Sequence, residues 1–334
     1  MTISAEPVID LIEAFRRSQT MFAAVSLGVF DALPGTAAEI AATLGAHAGA
    51  MERLLDGCAA LGLIVKSGGV YSNAPVAERY LRSASQDTLR SYVVYSHQAL
   101  YSMWAHLDDA VREGSHRWTQ TFGLEGGLFS HFFRTEAAMR DFIAGMHGFG
   151  MLNSPAVVAA FDLGRFRRMA DLGGATGHLA VAACERYPEL RAVVFDLAAV
   201  TDVAREYVSR SNASPRIEVM AGDFFQDELP AADLYALVRI LHDWTEDKIV
   251  RLLDKIARAL PPGGGLLIAE RLLNEDGVGP ASVNMQSLNM LVCTEGQERS
   301  ASDYERLLRA AGFVTVEAKR TGVTLDAVLA VKGG

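Results

Sequence analysis

The sequence predicts an α/β protein: a doubly wound, mostly parallel sheet in the C-terminal half, behind a mostly helical, winged-helix-like N-terminal half. Three observations carry this. From about Arg167, short apolar strands alternate with amphipathic helices, the rhythm of a parallel sheet covered on both faces. The first of these strands runs straight into a glycine turn, "DLGGATG". Ahead of it, the chain carries apolar residues at helical spacing and a single hairpin signal. The spacing divides the chain into a helical, winged-helix-like dimerisation domain at 1–150 and a ligand-binding domain at 151–334.

The elements follow in order. "VIDLIEAFRRSQTMFAAVSLGVFDAL" reads as helix, and its "TMFAAVSLGVF" portion fits burial against a partner. "TAAEIAATLG" is a short helix with Thr36 as N-cap, Glu39 closing a capping box and Gly45 as stop. "MERLLDGCAALGLIVKSGGVYSNAP" reads as helix then hairpin, turning at Ser-Gly-Gly. In the second half, "RMADLGG", "RAVVFDL", "RIEVMAGD", "DLYALVRIL" and "GLLIAERLL" read as strands. "HLAVAACERYP", "AVTDVAREYVSRS", "TEDKIVRLLDKIARAL" and "SASDYERLLRAAG" read as helices. The closing pair "FVTVEAKR" and "TLDAVLAVKG" has no helix between its members, so one of them is antiparallel.

The totals set limits. Of 334 residues, 50% are hydrophobic and 21% charged, enough to bury a sizeable core. The net charge of −9 argues against nucleic acid, because phosphate binding needs a basic face. The would-be recognition helix "AGAMERLLDGCAAL" sets one Arg against one Glu and one Asp. The start "MTISAEPVIDLIEAF" lacks a secretory pattern, and no apolar run reaches membrane-spanning length. A soluble, cytoplasmic protein without a membrane partner is the expectation. Cys58, Cys184 and Cys293 form no CxxC pair or Cys/His cluster, so neither a disulfide framework nor a metal is indicated.

The chemistry gathers at strand ends. Glycines in "DLGGATG" let backbone approach a ligand closely. Asp196 ends the second strand, placed to grip ribose hydroxyls, and "AGDFF" sets Asp223 and Phe224 at the end of the third. Acid, glycine turn, acid, then Gly-Asp-Phe describes a site for S-adenosylmethionine (SAM) better than one for NAD. His242, in "RILHDWTED", follows residues that read as the end of a buried strand. Alone, it is either a hydrogen-bonded core histidine or a base at a pocket mouth.

From about residue 12 onward the chain resembles the SAM-dependent O-methyltransferases of the plant caffeate and vertebrate acetylserotonin type, the latter more closely. The matching stretches are "DLGGATGHLA", "FDL", "GDFFQDELPAADLY", "RILHDW", "PGGGLLIAE" and "SLNMLVCTEGQERS". The resemblance implies a Rossmann-like class I SAM methyltransferase domain behind a dimerisation domain, hence a homodimer with SAM as methyl donor and S-adenosylhomocysteine as product. It makes Asp171, Gly173, Gly174 and Gly177 the cofactor turn. Asp196 with Leu197 becomes the ribose contact, Gly222, Asp223 and Phe224 the adenine clamp, and Arg239 a basic residue near the cofactor. His242 becomes the general base, flanked by Glu270 and Glu298. Phe142, Met146, Asp243, Asn289 and Cys293 line the acceptor, a small aromatic molecule with a phenolic hydroxyl.

This assignment fits the reaction. Methyl transfer is an in-line displacement at a sulfonium-activated carbon, so the protein's main work is alignment. A neutral phenol still has to lose its proton, and a neutral imidazole held in one tautomer by an acid can take it. Departures from the family pattern bear on the acceptor. Ala175 stands in place of the usual middle glycine, and Cys293 in place of an amide. Gly150 and Phe133 stand where larger or more polar side chains are expected near the cofactor. Together these imply a roomier, less polar pocket for a bulkier phenol. Two alternatives stay open: the same fold using SAM for non-methylating chemistry, and methylation at carbon or nitrogen.

Overall fold

The computed structural model describes residues 3–126 and 128–334. The chain divides into two compact units, Met1–Tyr101 and Ser102–Gly334. The boundary at 150/151 expected from the sequence falls inside one continuous helix, Glu136–Ala159. That helix carries Pro155 within it, so neither the proline nor the glycines before it interrupt the run.

In the first unit, helix Glu6–Leu27 stops at Gly28, whose φ of 81° lets its amide turn back onto the Ala24 and Val25 carbonyls. Thr36 and Glu39 form the reciprocal capping box of helix Ala37–Thr43. After helix Ala48–Ala60, strands Ile64–Ser67 and Val70–Asn73 form the hairpin, and Gly35–Thr36 adds a third strand. Phe22, Val25, Val29 and Phe30 pack with Ile40, Met51, Leu55 and Tyr71 in the unit's own core. "TMFAAVSLGVF" is therefore spent mainly on that core. Exposed apolar side chains of the same helix are Val8, Ile9, Leu11, Ile12 and Phe15 in its first half and Leu27 at its end.

The second unit holds a seven-stranded sheet. In chain order its strands are β1 (Arg168–Leu172), β2 (Arg191–Asp196), β3 (Ile217–Ala221), β4 (Leu234–Val238), β5 (Gly265–Glu270), β6 (Phe313–Lys319) and β7 (Asp326–Lys332). Their spatial order is β6-β7-β5-β4-β1-β2-β3. β7 runs antiparallel to both its neighbours, which realises the expected single reversed strand. The central strands are apolar apart from Asp171 and Glu270 because both faces are covered: Met169 to Leu172, Leu234 to Leu237 and the whole of β5 are buried. The relevant helices are α1 (Glu136–Ala159), α2 (His178–Arg186), α3 (Ala198–Val208), α4 (Glu246–Ala259), α5 (Ala281–Cys293) and α6 (Ala301–Ala310). Strand order reverses between β1 and β4, so their carboxyl ends open the crevice where such sheets bind ligands.

Candidate active site

β4 ends sooner than the sequence reading placed it. The strand stops at Val238, and His242 lies in a single 3₁₀ turn, Leu241–Asp243, rather than at the strand's end. Arg239 makes the break by adopting φ 55°, a left-handed conformation that a non-glycine residue holds only when its surroundings fix it. Its amide bonds the Ala269 carbonyl, its guanidinium lies 4.7 Å over the Phe149 ring, and Nη1 reaches Met146 Sδ at 3.2 Å. The reversal then aims three successive amides at one atom. Ile240, Leu241 and His242 donate to Glu270 Oε1 at 2.9, 2.9 and 3.4 Å.

Glu298 arrives from far along the chain. Residues Arg299–Ser300 pair in parallel with Leu272–Leu273, which sets Glu298 beside the end of β5. The loop before it passes so close to the histidine turn that a Cβ on Gly296 would lie 2.3 Å from the His242 carbonyl oxygen. His242 Nδ1 then donates to Glu298 Oε1 at 2.7 Å, with Glu270 Oε2 at 3.3 Å. Nε2 lies 3.6 Å from Asp243 Oδ1. His242, Glu270 and Glu298 are all buried. Burial alone would lower the His242 pKa, but Glu270, Glu298 and Asp243, with the hydrogen bond to Glu298, outweigh it and raise it to about 9. Burial pushes Asp243 up to about 6. Ligating atoms of the three buried residues also lie within 4.8 Å of one another. The 2.7 Å contact, however, is a hydrogen-bond length, shorter than the roughly 3.3 Å separating ligands of a tetrahedral ion with bonds of about 2 Å.

On the other side of the crevice, Gly173 has φ 68° and donates to the Phe195 carbonyl, tying the turn to β2. A Cβ there would strike Ile240, and it would touch the Phe224 ring edge at 3.5 Å, so the turn, β3's end and β4's end meet at this glycine. Gly174, Gly177 and Gly222 are required by packing. Their Cβ atoms would fall 2.8 Å from the Asp171 carboxyl, 2.9 Å from Val194 and 2.2 Å from Phe195. Asp196 accepts from Leu197 N at 2.7 Å and Ala175 N at 2.8 Å, one amide per oxygen. Each oxygen keeps a free lone pair, and desolvation lifts the carboxyl to about 6. Asp171 instead lies wholly buried beneath the turn. Desolvation, with Asp196 adding to it, raises it to about 7, and neither oxygen has a well-formed hydrogen bond, though the Ala180 amide faces it. Asp223 spends one oxygen on Phe225 N at 2.7 Å.

The remaining predicted residues fall into two groups. Phe142 stacks on Phe132 with ring centres 4.6 Å apart, and Phe133 lies tilted beside it at 6.3 Å. Cys293 donates its thiol proton to Asn289 O at 2.9 Å, and Trp104 Nε1 holds Asn289 Oδ1 at 2.8 Å. Because an indole can only donate, this contact orients the amide. Trp244 packs between Phe129 and Phe225.

The structure adds residues that sequence reasoning passed over. Gly296 carried only the weak signal of a glycine between two glutamates. His147 bonds Thr176 Oγ1 in the glycine turn at 2.8 Å, and His178, opening α2, bonds Ser154 at 2.8 Å. The space expected beside Gly150 is filled by His178, whose ring atoms would lie 2.4 Å from a Cβ at 150. Position 150 therefore does not enlarge the pocket.

Residues 104–314 match the O-methyltransferase domain model, and 9–83 match the O-methyltransferase dimerisation domain. Acetylserotonin O-methyltransferase of Bos taurus is 43% identical over 333 residues, covering 97% of this chain and 96% of that protein. The crystal structure of human N-acetylserotonin methyltransferase in complex with SAM superposes with TM-score 0.95 at 40% identity, covering 100% and 99% of the two chains. PigF with SAH gives 0.90 at 28% identity, covering 99% of this chain and 100% of that one. Strand order, the glycine turn and the histidine–glutamate cluster thus agree with likeness along the whole chain, and the protein belongs to the O-methyltransferase family.

Proposed function

We propose that this O-methyltransferase methylates the phenolic hydroxyl of a small aromatic molecule, with SAM as donor and His242 as general base. The observation that carries the reading is the split use of one imidazole. Nδ1 is fixed by Glu298 at 2.7 Å, and Nε2 is left at the crevice for the acceptor's proton. The cofactor fits the other side of the crevice. Asp196 presents two oxygens, each with a lone pair to spare for a diol, and Phe224 offers a ring beside Gly173. When bound there, SAM supplies an electrophilic methyl group.

The chain's own residues do the rest. His242 Nε2 takes the hydroxyl proton as the oxygen attacks, which is typically worth about 10²–10⁴-fold. Glu298 keeps Nδ1 protonated and steadies the imidazolium that forms. Phe132, Phe142, Asn289 and Cys293 hold the ring and exclude water. The relatives' names supply acetylserotonin as one aromatic acceptor to test. A bulkier, less polar phenol is the preferred class, because the Cys293 thiol is committed to its own helix and gives the acceptor no amide. The dimerisation-domain match and the exposed face Val8, Ile9, Leu11, Ile12 and Phe15 support a homodimer.

Product mass after incubation with SAM and a panel of phenols, hydroxyindoles and hydroxyquinones tests this. The expected result is a one-methyl gain that falls by about a hundredfold or more in His242→Ala. Methylation that survives the substitution overturns the base assignment. N-acetylserotonin emerging as the best acceptor overturns the bulkier class.

A further inference from the structure

His242 Nδ1 carries one hydrogen and faces two carboxylates. Glu298 Oε1 takes it at 2.7 Å, leaving Glu270 Oε2 at 3.3 Å without it. Glu270 is used unevenly. Its Oε1 collects the amides of Ile240, Leu241 and His242, while its buried Oε2 has no hydrogen-bond donor among the described residues. The groups facing it come from several elements. The turn after β4 brings Arg239, His242 and Asp243, the loop before α6 brings Glu298, and α6 brings Tyr304, whose own neighbours include Arg299.

The charges decide where one proton sits. If Glu270, Glu298 and Asp243 are all anionic, their combined pull places a second proton on His242, and an imidazolium cannot act as base. The same proton placed on Glu270 Oε2 leaves His242 neutral. Glu298 Oε2 also has no donor among the described residues, but Glu298 is the carboxylate that takes the Nδ1 hydrogen at 2.7 Å, so the extra proton falls to Glu270. Building on the assignment of His242 as base, we propose that Glu270 is a proton-holding positioning residue: it rests as a neutral acid, and the charge that orients His242 resides on Glu298 alone. The three amides on Oε1 do favour an anion, but the carbonyl oxygen of an acid accepts them as well. Against them stands full burial, the largest influence, joined by the Glu298 and Asp243 carboxylates; His242 and Arg239 pull the other way, and the net effect lifts Glu270 to about 7. During transfer the acceptor's proton goes to His242 Nε2, and the Glu270 proton stays where it is.

The test compares Glu270→Gln with Glu298→Gln, using the acid limb of the kcat/KM pH profile and infrared spectra in H₂O and D₂O. Glutamine copies the shape of a neutral glutamic acid and keeps the carbonyl for the three amides. The acid-limb midpoint is expected to move by less than about half a pH unit in E270Q, with the rate down by no more than about tenfold. In E298Q the midpoint moves to lower pH by about one unit or more, because a true anion next to the ring is lost. The wild-type-minus-E270Q difference spectrum shows the carbonyl stretch of a protonated carboxyl, and the wild-type-minus-E298Q difference spectrum lacks it. A midpoint drop of about a unit in E270Q, or a difference band that is missing for E270Q or present for E298Q, overturns the proposal. S-adenosylhomocysteine affinity and Tm establish that each variant is folded. If His242→Ala keeps the wild-type acid limb, the base assignment fails, and the infrared band still decides where the Glu270 proton lies.

Discussion

Two acidic clusters face each other across the crevice, and they are built differently. At the ends of β1 and β2, Asp171 and Asp196 are carboxylates met only by backbone amides. At the ends of β4 and β5, Glu270 and Glu298 converge on a histidine, with Asp243 beside it. Carboxylates enclosed without a cation are pushed toward neutrality and gain from a ligand that offers hydroxyls or positive charge. Carboxylates enclosed with an imidazole act on that imidazole, setting its tautomer and basicity. One crevice thus separates holding a donor from managing a proton, and single substitutions should disable one side while sparing the other.

The largest separation is expected from Gly296→Ala. A new Cβ would meet three backbone atoms at 2.3–2.8 Å, the His242 carbonyl oxygen, Trp244 N and Asp243 C, and none of them can rotate away. The loop must lift, carrying Glu298 from Nδ1. Turnover should fall by about a hundredfold or more, the low end of general-base help, with S-adenosylhomocysteine affinity by calorimetry changed less than about threefold. A rate near wild type would mean that the histidine side does not depend on that close approach.

Gly296 also shows what the sequence could and could not reveal. Much of the sheet was legible because β1, β2, β3 and β5 are short, largely apolar runs that finish at or beside an acid or a glycine, as at Asp171, Asp196 and Asp223. The capping box at Thr36 and the hairpin at Gly68–Gly69 were legible because their chemistry is local. Glu298 was reachable only through resemblance. It meets His242 across 56 positions through a two-residue bridge, Arg299–Ser300 on Leu272–Leu273, too short to leave a periodic signal. The end of β4 was misplaced because Ile240 and Leu241 resume the apolar pattern beyond Arg239, and only the backbone turn at Arg239 breaks the strand. The expected boundary at 150/151 lands inside a helix for the opposite reason: α1 is one run with three glycines and a proline inside, residues that read as punctuation. His178 filling the space beside Gly150 is a contact between neighbouring elements that no local pattern announces.

Asp196→Asn probes the other side. Both carboxylate oxygens accept amides, from Leu197 and Ala175. Asparagine must turn its own NH₂ toward one of those donors, so the turn loses a hydrogen bond and the site loses its anion. Hydrogen bonds to charged groups contribute about 1.5–3 kcal/mol each, which predicts S-adenosylhomocysteine binding weakened by about 10- to 100-fold. Single-turnover rates at saturating donor should stay within several-fold of wild type. A variant that binds normally but turns over slowly would place Asp196 with the proton machinery and erase the distinction between the two clusters.

The smallest effect expected is a gain. Ala175 sits in the middle of the cofactor turn at φ 48°, where its methyl group crowds the backbone. That conformation costs an L-residue about 1–2 kcal/mol, whereas glycine adopts it freely but loses about 0.5–1 kcal/mol of extra chain entropy on folding. Ala175→Gly should therefore stabilise the unit by about 0.5–1 kcal/mol in denaturant melts, the difference between those two costs. The hydrogen bond from residue 175 N to Asp196 Oδ2 uses only backbone on that side and survives the change. Cofactor affinity should rise slightly or hold, since relief of strain in a turn already closed adds no new contact. A loss of stability would mean that the alanine methyl packs well enough to offset its own backbone strain, and that the turn's shape is held more firmly by the donor-holding cluster than by the glycines around it.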